Sequence, residues 1–326
     1  MYFITTNICS WSYGGKFYFG YIVELFFLIS GYFTFGYISK IKNGLNFKDY
    51  YLHKVIRLLP LVSIAAVVYE IILYIYVHVY KFSWFDTKAS LWGMILDCLG
   101  IQVGWSSLNP CVNNPTWYIS VLLLCYLIFY LITYWSHRLK ISPYYGYIFM
   151  IFVGMEISTY GVSIMFITVG TDRGYYAFFG GIIFHKFLLS DFIKMRKNIL
   201  GFSVFIVVTV LMIFCWDLVN ADIGYVMTFV YYPSVIIILQ SKYVSKLFER
   251  KICSICDEIS FNVYIWHGVL LLGIVCIRDI LNLNFNWNGK LSMLIFTLFC
   301  FLAGTISYFA IEKPIKNKIE SVIEYS

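Results

Sequence analysis

The chain is a succession of apolar runs separated by short polar connections, most of them basic. A helix needs about 20 apolar residues to cross ~30 Å of hydrocarbon at 1.5 Å per residue. On that measure the pattern predicts spans at roughly 17–38, 58–80, 117–135, 143–157, 174–189, 199–217, 224–240, 259–278 and 291–311. A further apolar stretch at 91–103 reads as a re-entrant or half helix. Several runs are shorter than a full crossing and must draw on the aromatic sequence beside them. No polar block is large enough to fold alone, and no repeat, low-complexity tract or Pro/Gly/Ser linker marks a second domain. The expected fold class is therefore all-α: a polytopic transmembrane helical bundle of about nine spans, forming a single membrane domain over 1–326.

Composition strengthens this reading. Of the 326 residues, 61% are hydrophobic and 13% charged, and the mean hydropathy is +0.78. A soluble domain has about half its residues apolar and about a quarter charged, which excludes that class. Aromatic residues make up 21%; amphipathic rings favour the headgroup level and fill helix interfaces. The net charge of +7 lies in short clusters between apolar runs, which argues against a nucleic-acid partner. Eighteen Lys and Arg fall in the connections 39–57, 136–142, 186–198, 241–257 and after 311, against six in the alternate set. The richer set should be cytoplasmic, with the C-terminus inside and the N-terminus outside.

Motif searches remove several functions. There is no GxxxxGK[ST] phosphate loop, HExxH or GxSxG, which disfavours an ATP-driven pump or an intramembrane metalloprotease. Cys125, Cys215, Cys276 and Cys300 lie in apolar runs, where a thiol acts as a small hydrophobe. Cys253-Ser254-Ile255-Cys256 is a lone CxxC, and the loop acidic residues form no ligand set, so no metal is expected. The longest outer connection, 81–116, carries the turn signals Asn109-Pro110-Cys111 and Asn113-Asn114-Pro115, and is expected to form a lid over an outward-facing pocket.

Ionisable groups within spans are costly and therefore candidate site residues. His267 stands inside the run 259–278, where an imidazole is suited either to general base work on a hydroxyl or to hydrogen bonding between helices. Glu24, near the outer end of the first run, either orients a partner or substrate hydroxyl or is hydrated at the interface. Lys54 and Arg57 belong to a basic stretch entering a span from the inner side, which suits phosphate binding but is also accounted for by positive-inside anchoring. Arg173 lies on the outer side, where topology asks for no cation; it either pairs with Asp172 or holds an anionic or polyhydroxyl substrate.

Several segments, in order, resemble the bacterial acyltransferase-3 family of integral membrane O-acyltransferases. They are Val23-Glu24-Leu25-Phe26-Phe27-Leu28-Ile29-Ser30-Gly31-Tyr32, Tyr51-Leu52-His53-Lys54-Val55-Ile56-Arg57-Leu58-Leu59-Pro60, and Asn114-Pro115-Thr116-Trp117-Tyr118-Ile119-Ser120. Arg173-Gly174 with Phe178-Phe179-Gly180 follows, then Ile259-Ser260-Phe261 to Tyr264-Ile265-Trp266-His267, and Ile306-Ser307-Tyr308-Phe309-Ala310-Ile311-Glu312-Lys313-Pro314. The resemblance implies transfer of an acyl group, usually acetyl from cytoplasmic acetyl-CoA, to a hydroxyl of a cell-surface or exported glycan or another small acceptor. It also implies the bacterial inner membrane as location. Lys54 and Arg57 would then meet the CoA phosphates, Trp117, Tyr118, Ser120 and Arg173 would shape the acceptor side, and His267 and Glu24 would be the catalytic candidates. The family pattern has ten spans, the first bearing an Arg and, after ten intervening residues, a His that serves as base. No such pair precedes Gly20, so the expectation is a truncated start; for a genuinely shortened chain the substitute base would be His267. Two other functions remain open. A polysaccharide-precursor transporter or flippase should show internal pseudo-symmetry, which is not found; a non-catalytic partner in envelope assembly would fit a chain whose first span is missing.

Overall fold

The computed structural model describes residues 21–83, 89–105, 113–216, 222–249, 251–283 and 290–324. The stretch before Gly20 and the Asn109-Pro110-Cys111 turn lie outside them. The described residues are helical, with no β-strand among them. In chain order the helices are α1 (Ile22–Thr34), α2 (Tyr37–Lys42), α3 (Phe47–Tyr74), α4 (Leu91–Leu99), α5 (Trp117–Arg138), α6 (Pro143–Tyr160), α7 (Thr171–Leu188), α8 (Asp191–Phe214), α9 (Ile223–Leu239), α10 (Lys242–Phe248), α11 (Lys251–Ile280), α12 (Lys290–Ser307) and α13 (Lys313–Glu324). Three segments widen into π-helix: Ile75–Val79 after α3, Met227–Tyr231 within α9 and Tyr308–Glu312 after α12.

Among the described residues, four helices are long and apolar enough to cross a membrane: Phe47–Val79, Trp117–Arg138, Cys253–Ile280 and Leu291–Lys318. They coincide with the runs 58–80, 117–135, 259–278 and 291–311. Ile22–Thr34, Asn198–Phe214 and Ile223–Leu239 are shorter apolar helices at three further predicted spans. The remaining two predicted spans form α6 and α7, each of 18 residues. Helix α7 carries Asp172, Arg173, His185 and Lys186, which lower its apolar character. Helix α4 has nine residues, about 14 Å at 1.5 Å per residue, so it is a half helix. The Ser90 hydroxyl caps its first turn by accepting from Gly93 N at 3.1 Å. Gly100 ends it in the left-handed conformation, φ 67°, which glycine adopts without a Cβ penalty.

The chain divides into two compact units, each assembled from discontinuous segments. The first holds 1–47, 125–163 and 167–250; the second holds 48–124, 164–166 and 251–326. Within the first, α1 and α7 meet backbone to backbone. A Cβ on Gly31 would stand 1.8 Å from the Phe178 carbonyl oxygen, and one on Gly181 would stand 2.0 Å from that of Leu28. Apolar attraction cannot drive helices together in lipid, so close van der Waals approach through small residues takes its place. Around this pair Tyr147, Phe178 and Phe179 are fully buried. Within the second unit α11 and α12 pack side by side, with Gly304 against Val263. The described part of the 81–116 connection is fastened there: Ser63 Oγ donates to Cys98 O at 2.8 Å, and Ser120 Oγ donates to Val103 O at 2.8 Å.

Candidate functional site

Polar side chains collect in two places, one in each unit. In the first unit α1 presents Glu24, with no exposed surface. Arg173, in the first turn of α7, reaches it with both arms of its fork: Nε to Oε1 and Nη2 to Oε2, each at 2.6 Å. One turn along α7, Tyr176 donates its hydroxyl to Glu24 Oε1 at 3.1 Å. A bidentate guanidinium–carboxylate contact is the strong form of ion pair, and it leaves neither charge alone in an apolar setting. Asp172 is not the partner of Arg173. Its Oδ1 accepts from Gly170 N at 2.8 Å and so holds the turn that begins α7. Tyr21 lies beside the cation, with the guanidinium carbon 6.0 Å from its ring centre.

In the second unit a buried carboxylate absent from the sequence-level candidates organises the entry to α5. Asp97, fully buried on α4, accepts from Asn113 N at 2.9 Å and from Thr116 Oγ1 at 2.7 Å. Gln102 Nε2 donates to the same Thr116 oxygen at 3.0 Å. This network fixes the Asn113–Thr116 turn, and α11 docks on it. Tyr264 donates its hydroxyl to Pro115 O at 2.5 Å, and a Cβ on Gly268 would meet the Pro115 ring at 2.8 Å. His267 is half-buried between these contacts. Its Nδ1 lies 2.5 Å from Tyr264 O, and a carbonyl only accepts, so Nδ1 carries the proton. The neutral ring then has its lone pair on Nε2, the form a general base needs.

The sequence model of a family described as an acyltransferase domain matches residues 2–312. The chain belongs to the acyltransferase-3 family. No curated protein and no solved structure matches it.

In this acyltransferase-3 protein the expected site residues take different parts. Glu24 and Arg173 come together, as do Tyr118 and His267 through Tyr264, whose ring meets that of Tyr118 edge-on at 5.8 Å. Trp117 is half-buried at the start of α5. Ser120 donates its proton to Val103 O and accepts from Val103 N, so its hydroxyl can offer a substrate an acceptor but not a donor. Lys54 and Arg57 stand three residues apart on α3, hence on one face. Arg57 is exposed, and Lys54 Nζ lies 5.8 Å from the Tyr50 ring centre. Two neighbouring cations with one exposed head fit a phosphate-bearing ligand. Among the described residues no three His, Cys, Asp or Glu side chains gather as a metal site would require.

Two further groups of polar residues escaped prediction. Trp266 Nε1 donates to Ser307 Oγ at 2.7 Å, Ser307 donates to Asn262 Oδ1 at 2.8 Å, and Asn262 donates to Glu312. This chain binds α11 to the π-widened end of α12. Tyr76 donates to Asp279 Oδ2 at 2.5 Å, and Arg278 Nε to the other oxygen at 2.6 Å. Apart from the neighbours Arg278 and Asp279, these bonds join residues separated by at least 41 positions, which no local pattern records.

Proposed function

We propose that this protein is a membrane O-acyltransferase that moves an acyl group, acetyl in the simplest case, from cytoplasmic acyl-CoA to a hydroxyl of a cell-surface or exported glycan. The observation that carries the reading is the family match across 2–312, which includes every candidate residue. The acceptor oxygen attacks the thioester carbonyl, a C–O bond forms, the C–S bond breaks, and the thiolate leaves with the donor. The proton lost by the hydroxyl goes to a base, for which His267 Nε2 is the candidate. Lys54 and Arg57 bind the donor phosphates by charge-assisted bonds. Trp117 and Tyr118 offer aromatic faces to the acceptor. Glu24 holds Arg173 in place for it, which makes Glu24 a positioning residue. The protein is placed in the bacterial inner membrane as one functional domain, surrounded by lipid, with the shorter helices completing about nine spans and the C-terminus in the cytoplasm.

The test is transfer from radiolabelled acetyl-CoA in membranes containing the chain, with the host glycan supplied. His267→Ala should lower the rate by about 10²- to 10⁴-fold, the usual contribution of a general base. An unchanged rate removes His267 from that role. Joint Lys54→Ala and Arg57→Ala substitution should raise the donor KM by about tenfold with kcat unchanged, since both charges act in binding.

A further inference from the structure

An apolar groove of about 400 Å³ opens between helices of the first unit, and Leu28, Gly180, Val204, Thr228 and Phe229 are among the residues that line it. That volume lies within the range of small-molecule pockets, about 300 to 1,000 Å³. The groove adjoins the Glu24–Arg173–Tyr176 cluster. Leu28 is one helical turn beyond Glu24, Gly180 one turn beyond Tyr176, and the Phe229 ring packs on the Tyr176 ring at 6.1 Å between centres. At its rim Leu200 is exposed, so the groove opens on a surface that a membrane would cover with hydrocarbon.

One lining residue is polar in a way the fold does not explain. Thr228 is fully buried, and its hydroxyl has no hydrogen-bond partner among the described residues. Elsewhere in these helices threonine satisfies itself: Thr34, Thr133, Thr159, Thr209, Thr297 and Thr305 each donate to the carbonyl four residues back, at 2.7 to 2.9 Å. Thr228 stands in the π-helical segment Met227–Tyr231, a kind of irregularity frequent at functional sites. The other hydroxyl in the lining, that of Ser234, donates to Tyr231 O at 2.6 Å, whereas the bondless hydroxyl of Thr228 is a donor awaiting an acceptor oxygen.

We propose that the groove receives the hydrocarbon chain of a lipid-linked acceptor, whose polar head lies at the Glu24–Arg173–Tyr176 cluster and whose oxygen at the head of the chain accepts a hydrogen bond from Thr228. The inference rests on the acyl-transfer reading above. The acetyl group of a donor is too short to need such a groove. A glycan carried on a lipid presents a polar head, a linking oxygen and hydrocarbon, which suit the cluster, the Thr228 hydroxyl and the groove in turn.

The experiment uses the full chain in lipid nanodiscs and a photoreactive dodecyl glucoside, followed by peptide mapping. In parallel, methyl and dodecyl glucosides serve as acceptors from radiolabelled acetyl-CoA. Labelling is expected on α8 and α9, displaced by a polyprenyl-phosphate-linked hexose and not by added phospholipid. Thr228→Val keeps the shape and removes the hydroxyl, and should reduce labelling and dodecyl glucoside use by about fivefold, the worth of one hydrogen bond, while the unaltered chain should use dodecyl glucoside in preference to methyl glucoside. Val204→Trp should block labelling by filling the groove. Displacement by phospholipid as readily as by the linked hexose, or labelling unchanged in Thr228→Val, makes the groove a crevice for bulk lipid and overturns the proposal. Labelling as expected, without transfer to either glucoside or to the host glycan, supports the groove and counts against the acyl-transfer reading instead.

Discussion

Glu24 and Asp97 are both carboxylates with no exposed surface, one in each unit, and they are neutralised in different ways. Glu24 meets a full opposite charge on a helix 149 positions away in sequence. Asp97 meets a backbone N–H and a threonine hydroxyl within 19 positions. The first arrangement depends on one residue, because among the described residues only Arg173 supplies the countercharge. The second is distributed, so each donor carries a smaller share. A buried ion pair fails badly when halved and tolerates joint replacement, whereas a carboxylate held by neutral donors loses stability in steps.

That contrast can be broken by substitution. Arg173→Met leaves Glu24 without a countercharge, held only by the Tyr176 hydroxyl among the described residues, and should destabilise the protein by about 3–5 kcal/mol, read as a lowered thermal midpoint in detergent. Adding Glu24→Gln to that variant should recover much of the loss; no recovery would mean that the pair is not the source of the cost. Asp97→Asn keeps the shape but weakens the acceptor, and should cost about 2 kcal/mol by the same measurement, because charge-assisted hydrogen bonds become neutral ones. A cost as large as that of Arg173→Met would erase the difference between the two sites. The smallest effect is expected from Tyr176→Phe, about 1 kcal/mol for one hydrogen bond to a carboxylate that keeps both contacts from Arg173.

Much of the helical layout was legible in the sequence, because apolar runs at the length of a membrane crossing leave a chain few other folds. The half helix over 91–99 was legible for the same reason, being apolar yet too short. Side-chain partnerships were less accessible. Arg173 has Asp172 beside it, but the carboxylate it binds comes from a helix distant in sequence and adjacent in space, and single-sequence periodicity carries no information on which helices touch. Asp97 was overlooked because it interrupts an apolar stretch only once and its donors are a main-chain N–H and a hydroxyl, groups too common to signal a site. The bonds of Ser120 were equally illegible: its hydroxyl holds both backbone groups of Val103, 17 positions away, and nothing local marks that pairing. The three π-segments leave no periodic trace at all, and one of them places Thr228 where its usual bond is lost.

The contacts of Gly31 with Phe178 and of Gly181 with Leu28 are reciprocal, each helix offering a bare backbone to a carbonyl of the other. Replacing Gly31 or Gly181 by its neighbour Tyr32 or Ile182 would put a side chain where only hydrogen fits, so steric exclusion helps to decide the alignment of the two helices before any charge is considered. Glu24 and Arg173 are therefore passengers on a frame that does not need them for its own alignment. Over evolutionary time the two groups at that end can be exchanged together, provided neither charge is left buried alone, while the path of the chain stays as it is.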